Sequence, residues 1–174
     1  MSWSNVLPPA TARRDAERMV TDYGTAPSSE AELVELGRNI EAWATTQLVD
    51  NPSVLGIERD GTERRWVLRL QGEEKATFAV WFTLGQRALA YETYLLPAPE
   101  ENHGAFYEHL LRRNLKLRGV TFAIGVEDAV FLVGQLANAH VNEVELDRIL
   151  GTLNEAVERC FRPALHNGFA SRFS

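Results

Sequence analysis

Apolar residues recur along this chain with two different periods, and the switches between them divide it into elements. From Ser29 to Val49, the residues Leu33, Leu36, Ile40, Trp43, Ala44 and Leu48 fall three or four apart, which is one stripe of an amphipathic helix. Ser29 and Glu32 form an S-x-x-E capping box at its start, and Asn51-Pro52 stops it. The period then changes to two. Val54 to Glu58 is short and β-branched, and Asp60-Gly61 signals a hairpin turn. In Arg64 to Leu70, Trp66, Leu68 and Leu70 share one face, with Arg65, Val67 and Arg69 on the other. In Ala76 to Thr83, Phe78, Val80 and Phe82 oppose Thr77, Ala79 and Trp81. Leu89, Tyr91, Thr93 and Leu95 line one side of a further strand. Closely spaced strands with short turns predict an antiparallel meander with one face buried.

Pro97-Ala98-Pro99 ends this run. Glu100, Glu101 and Asn102 predict a helix start, Phe106, Leu110 and Leu111 its apolar stripe, and Gly119 its end. Val120 to Val126 and Val130 to Leu136 read as two strands joined by a turn at Glu127-Asp128. Asn142 with Glu145 caps a last helix, whose buried face is Val144, Leu146, Ile149, Leu150, Leu153, Val157 and Phe161. Pro163 bends or ends it, and Gly168 stops it. Strands are grouped rather than alternating with helices, so the class is α+β. Residues 1–28 read as an N-terminal arm with a short polar helix from Thr11 to Tyr23, and residues 29–170 as one domain.

Composition adds limits. A chain of 174 residues with 45% hydrophobic and 24% charged residues is ordinary globular usage for one domain. The net charge of -6 argues against general nucleic-acid binding. The lone Cys160 permits no intrachain disulfide and reads as a small core residue. No stretch has the apolar length of a membrane span, and the first residues lack a signal-peptide pattern, so a cytoplasmic location is expected. Of 18 basic residues only Lys75 and Lys116 are lysines, which reads as the codon bias of a GC-rich genome.

No motif carries catalysis. His103, His109, His140 and His166 have no metal-ligand spacing, and no phosphate loop or nucleophile elbow occurs, so neither cofactor nor metal is expected. The pairs Glu73-Glu74, Glu100-Glu101 and Glu127-Asp128 read as solvated turn residues. Candidate partner-binding residues fall in two sets. Arg112, Arg113, Lys116 and Arg118 form a basic run, with positions 112 and 116 one helical turn apart. It reads as a solvated helix end, or alternatively as a patch for an acidic protein or nucleic acid. Trp81 lies opposite Phe78 and Phe82. It is either an exposed protein-binding anchor beside Tyr94, or covered by helices or the arm. Arg65 and Arg69 form a second pair on one strand face, where acidic residues on a neighbouring strand are expected opposite them.

The ordered pattern resembles the YbjN-domain family of bacteria, which is similar in fold to type III secretion chaperones. The opening helix Ser29 to Val49 and its meander carry the resemblance. So do the segment Tyr107-Glu108-His109-Leu110-Leu111-Arg112-Arg113-Asn114 and the closing strand and helix, Ala129 to Val133 and Asn142 to Leu150. The resemblance implies the order α-β-β-β-α-β-β-α and a non-enzymatic, often dimeric domain of regulatory or chaperone-like type. It implies no catalytic residues. A protein partner of unnamed identity follows, bound along a sheet edge or groove.

Overall fold

A computed structural model describes residues 26–173, so the expected helix at Thr11–Tyr23 lies outside the described residues. Helix α1 spans Glu30–Asp50. Both halves of its capping box are made: the Ser29 N–H donates to the Glu32 carboxylate at 2.6 Å, and the Glu32 N–H donates to Ser29 Oγ at 3.3 Å. Leu33, Ile40, Trp43 and Ala44 are buried as expected, but Leu48 is exposed. The inward side of that last turn belongs to Gln47, which donates to Asp147 at 2.8 Å and accepts from Asn51 at 3.0 Å.

Four strands follow: β1 Val54–Asp60, β2 Arg65–Gln71, β3 Thr77–Leu84 and β4 Ala88–Leu96. The alternating segments thus all become strands, giving four before the second helix where the resemblance implies three. After helix α2 (His103–Asn114) come β5 Thr121–Ile124 and β6 Val130–Ala137, then helix α3 (Glu143–Gly168). The six strands form one sheet in the order β1-β2-β3-β4-β6-β5, and every neighbouring pair is antiparallel. The class is α+β.

Helix α2 departs from its expected bounds at both ends. Glu100 and Glu101 precede it and hold the chain end instead: the Glu101 carboxylate accepts the Ser171 N–H at 2.7 Å, and Glu100 pairs with Arg172. Asn102 occupies the cap in left-handed backbone, φ 51°, and its amide donates to the Asn167 carbonyl at 3.1 Å. The helix ends at Asn114, before Gly119, because the Asn114 side chain accepts the Phe122 N–H of β5 at 2.7 Å. Gly119 serves the turn beyond, with φ 74°. Phe106 and Leu110 are buried, whereas Leu111 is exposed.

Helix α3 begins as expected, with Asn142 Oδ1 accepting the Glu145 N–H at 3.0 Å. Leu146, Ile149, Leu150, Leu153 and Val157 are buried and Phe161 is partly buried, but Val144, in the first turn, is 74% exposed. Pro163 sits inside the helix, which continues to Gly168. A Cβ on Gly168 would come within 2.8 Å of the Phe106 ring, so the end of α3 packs directly on α2.

One face of the sheet carries the core. Trp66, Leu68, Leu70, Phe78, Val80, Phe82, Leu89, Tyr91, Leu95 and Leu132 join the buried residues of all three described helices in a single cluster. Trp43 of α1 packs edge-on against Phe82, with ring centroids 5.3 Å apart, and its N–H donates to Asp147 of α3 at 2.8 Å. The Trp66 N–H donates to Glu41 of α1 at 2.7 Å. Cys160 is buried in this cluster, and burial pushes its thiol pKa up. No described helix is long and apolar enough to cross a membrane.

Candidate partner-binding face

The second face of the sheet is built by the other half of each alternation. Register places Val67 opposite Trp81, Trp81 opposite Glu92, and Glu92 opposite Val133, in one row across four strands. The adjacent row is Asp60, Arg65, Thr83, Ala90 and Gln135. Trp81 and Phe131 are each 7% exposed, yet neither belongs to the main core cluster. Trp81 therefore has the predicted facing but is not an exposed anchor. It is a buried ring on the side of the sheet opposite the packed helices.

A groove of about 530 Å³ opens at this end of the face. Arg65, Trp81, Thr83, Ala90 and Glu92 line it, and the β3–β4 turn at Gly85 to Arg87 forms its rim. The Arg65 guanidinium is buried beside Glu63, at 2.6 Å, and donates to Thr83 Oγ1 at 3.2 Å. The acidic neighbour expected for Arg65 exists, since Asp60 of β1 is its cross-strand partner. Arg69 is opposite Gly56 rather than an acid. A Cβ at Gly56 would lie 3.1 Å from the Arg69 guanidinium, so the arginine lies across β1.

Glu92 was not marked by the sequence pattern. Its carboxyl pKa is raised, chiefly by burial, with Arg65 opposing the shift through space. A carboxylate among outward-facing strand residues is unremarkable in the sequence. Only the register sets it between an indole and Val133.

At the other end of the same face, Tyr94 pairs with Phe131, their rings edge to face at 5.5 Å. Tyr94 is half-buried, and burial with the Glu127 charge pushes its hydroxyl up to about 12. Lys75, from the β2–β3 turn, places Nζ 4.8 Å over the Tyr94 ring and 5.7 Å over Phe161. The same ammonium donates to the Tyr94 and Leu95 carbonyls at 2.6 and 2.9 Å. Burial lowers its pKa from 10.5 to about 7. The N–H groups of Glu73 and Glu74 donate to Glu158 of α3 at 3.1 and 2.9 Å, so this turn is clasped to the helix. Of the expected solvated pairs, Glu73 is exposed, whereas Glu74 pairs with Arg162 of α3, and Glu100 and Glu101 at the start of α2 are held by Arg172 and Ser171.

The basic run lies elsewhere, at α2, which packs beside the far edge strand β5. Arg112 is held by Glu108, one turn earlier, at 2.6 Å. Helix α2 stops at Asn114, so Lys116 and Arg118 do not extend the helical face of Arg112 and Arg113. The seven candidate residues thus divide between the groove face (Arg65, Arg69, Trp81, Tyr94) and α2 with its following turn (Arg112, Arg113, Lys116).

A three-helix layer on one face of a meander-based antiparallel sheet defines an α+β domain of the type III secretion chaperone-like class. The structure is similar to a chain of the heterodimeric complex ExoU-SpcU from the type III secretion system of Pseudomonas aeruginosa. The similarity has a TM-score of 0.50 at 19% identity, covering 72% of this chain and 96% of that one. The chain belongs to the YbjN family, described as "Putative bacterial sensory transduction regulator", whose model matches residues 38–166. It is 35% identical over 107 residues to "Uncharacterized protein ML2442" of Mycobacterium leprae, a match covering 62% of this chain and 58% of that relative. It is 34% identical over 105 residues to "Uncharacterized protein Rv0487" of Mycobacterium tuberculosis, covering 60% and 57%. The chain therefore spans less than two thirds of the curated relatives it matches.

Proposed function

We propose that this chain is a non-enzymatic, cytoplasmic protein-binding module of chaperone-like or regulatory type, which holds a partner segment in the groove beside Trp81. The observation that carries the reading is the placement of Trp81. A large aromatic ring sits outside the helix-packed core, at the floor of a groove bordered by Arg65 and Glu92. An apolar floor bordered by polar groups that set orientation is the make-up of a protein-binding groove. The membership of the YbjN family supports the reading, as does the fold shared with a chain from a heterodimeric complex.

The test is affinity capture by the full tagged chain from a bacterial lysate, with nuclease, at low and high salt. One protein retained in stoichiometric amount at both salts, and lost with Trp81→Ala while the variant keeps its circular dichroism, is the expected result. Capture that disappears with nuclease or high salt would transfer the function to nucleic acid and the arginines of α2. Sedimentation of the purified chain completes the test, since the family resemblance implies a homodimer rather than a 19.5 kDa monomer.

A further inference from the structure

We infer that the groove takes an extended segment of a protein partner that places a lysine or arginine on Glu92, among apolar side chains packed on Trp81. This deepens the proposed function and rests on it.

The argument starts from the carboxylate. Glu92 stands directly between Trp81 and Val133 on neighbouring strands. It is half-buried and lines the groove. Among the described residues, none donates a hydrogen bond to it or forms an ion pair with it. The cation that influences it, Arg65, directs its guanidinium to Glu63 and Thr83. A charge removed from water without a partner is unfavourable, and it becomes favourable when a second charge arrives with hydrogen-bonding geometry.

The apolar surroundings and the strand geometry define the rest of the occupant. Side chains of an extended segment alternate in direction, so one projects into the groove while its neighbours project away. A segment laid across β2, β3 and β4 meets Trp81 and Ala90 with apolar side chains and Glu92 with a cationic one. The volume, about 530 Å³, holds side chains rather than a folded domain. The lining also carries Arg64, Arg65 and Arg87 beside Glu63, so the cationic residue is called for at Glu92 alone, with uncharged residues elsewhere in the segment.

The experiment uses the full chain and two fluorescein-labelled peptides, Ser-Thr-Leu-Thr-X-Thr-Leu-Thr-Ser, in which the leucines and X share one face of the extended segment, with X arginine or glutamate, read by anisotropy. The arginine peptide is expected to bind at least ~10-fold more tightly, the scale of one charge pair in a partly desolvated site. Glu92→Gln, which keeps shape and removes only charge, should bring the two peptides to within ~2-fold of each other. Trp81→Ala should weaken both, and Arg112→Gln neither. Equal binding of the two peptides by the wild type, a preference that survives Glu92→Gln, or no binding of either would overturn the inference. Displacement of the probe by a synthetic peptide of residues 1–25 would overturn it in favour of the chain's own N-terminal segment. A dimer in sedimentation that Glu92→Gln abolishes would overturn it in favour of a second copy. Cellular capture that still depends on Trp81 would show that only this inference, not the docking reading beneath it, had failed.

Discussion

Trp81 of β3 and Glu92 of β4 are direct cross-strand partners on the face of the sheet opposite the helix-packed core. A buried indole and a carboxylate with a raised pKa share one position in the ladder. This pairing is a source of instability in the sheet.

The acid side of that instability is measurable. A carboxyl whose folded pKa is raised binds its proton more tightly folded than unfolded. Stability associated with Glu92 is therefore full below the ordinary carboxylate range and is lost as pH rises through its folded value. Glu92→Gln should be more stable than wild type at pH 7 by about 1 kcal/mol, the lower end of the cost of a buried polar group without a partner. The gap should close below about pH 4.5. Urea midpoints at the two pH values check both the sign and the window.

Lys75 works in the alkaline range. Its folded pKa is about 7, below the ordinary 10.5. Between those values the unfolded chain binds the proton and the folded chain does not, so stability rises with pH across that window. Measured against Lys75→Met, wild type should gain on the order of a few kcal/mol between pH 7 and 10. Chemical denaturation of both proteins at pH 7, 8.5 and 10 gives the difference, in which shared tyrosine and cysteine titrations cancel.

Asp147 joins two helices by accepting from Trp43 and Gln47, both at 2.8 Å. Asp147→Ala leaves a buried indole N–H without its acceptor and should cost about 1–3 kcal/mol. Trp43→Phe removes donor and hydrogen bond together. Combining the two should therefore cost less than their sum, as a double-mutant cycle in urea would record.

Gly134 tests the turn over Tyr91. A Cβ there would stand 2.2 Å from the Gly119 carbonyl oxygen and 2.3 Å from the Tyr91 ring, and the Tyr91 hydroxyl donates to that same carbonyl at 2.6 Å. Gly134→Ala should lower stability by about 1–3 kcal/mol through overpacking, seen as a lower melting temperature.

Exposure separates two neighbours that the apolar pattern treats alike. Leu146→Ala should cost about 2–5 kcal/mol, because Leu146 is buried in the core. Val144→Ser should change stability by no more than about 0.5 kcal/mol, because Val144 faces solvent. Parallel thermal melts decide it.

Much of this architecture was legible along the chain because the signals are local. The Ser29–Glu32 box acts within one helical turn, and Asn142 caps α3 through a residue three positions on. Strand alternation assigned Trp66, Leu68 and Leu70 to one face and Trp81 to the other from neighbours two positions away. The family likeness summed these signals into a fold order, and the α+β class followed. The misjudged positions share a cause. Leu48, Leu111 and Val144 fit their helical stripes, but whether a stripe's end meets the sheet depends on where the helix docks. Asn114 ended α2 early through a bond to β5, and Glu100 and Glu101 turned to the chain end instead of the helix.

The candidate site shows the same division. The sequence by itself determined that Trp81, Arg65 and Arg69 face away from the core, because side-chain direction in a strand follows from counting by two. Only the tertiary structure decided that Glu92 lies against Trp81, that Arg65 is held by Glu63 and Thr83, and that Lys75 rests on Tyr94 and Phe161. Those meetings depend on strand register and on the packing of α3 over the β2–β3 turn. Both are set by the sum of many distant contacts, which no short stretch of sequence encodes.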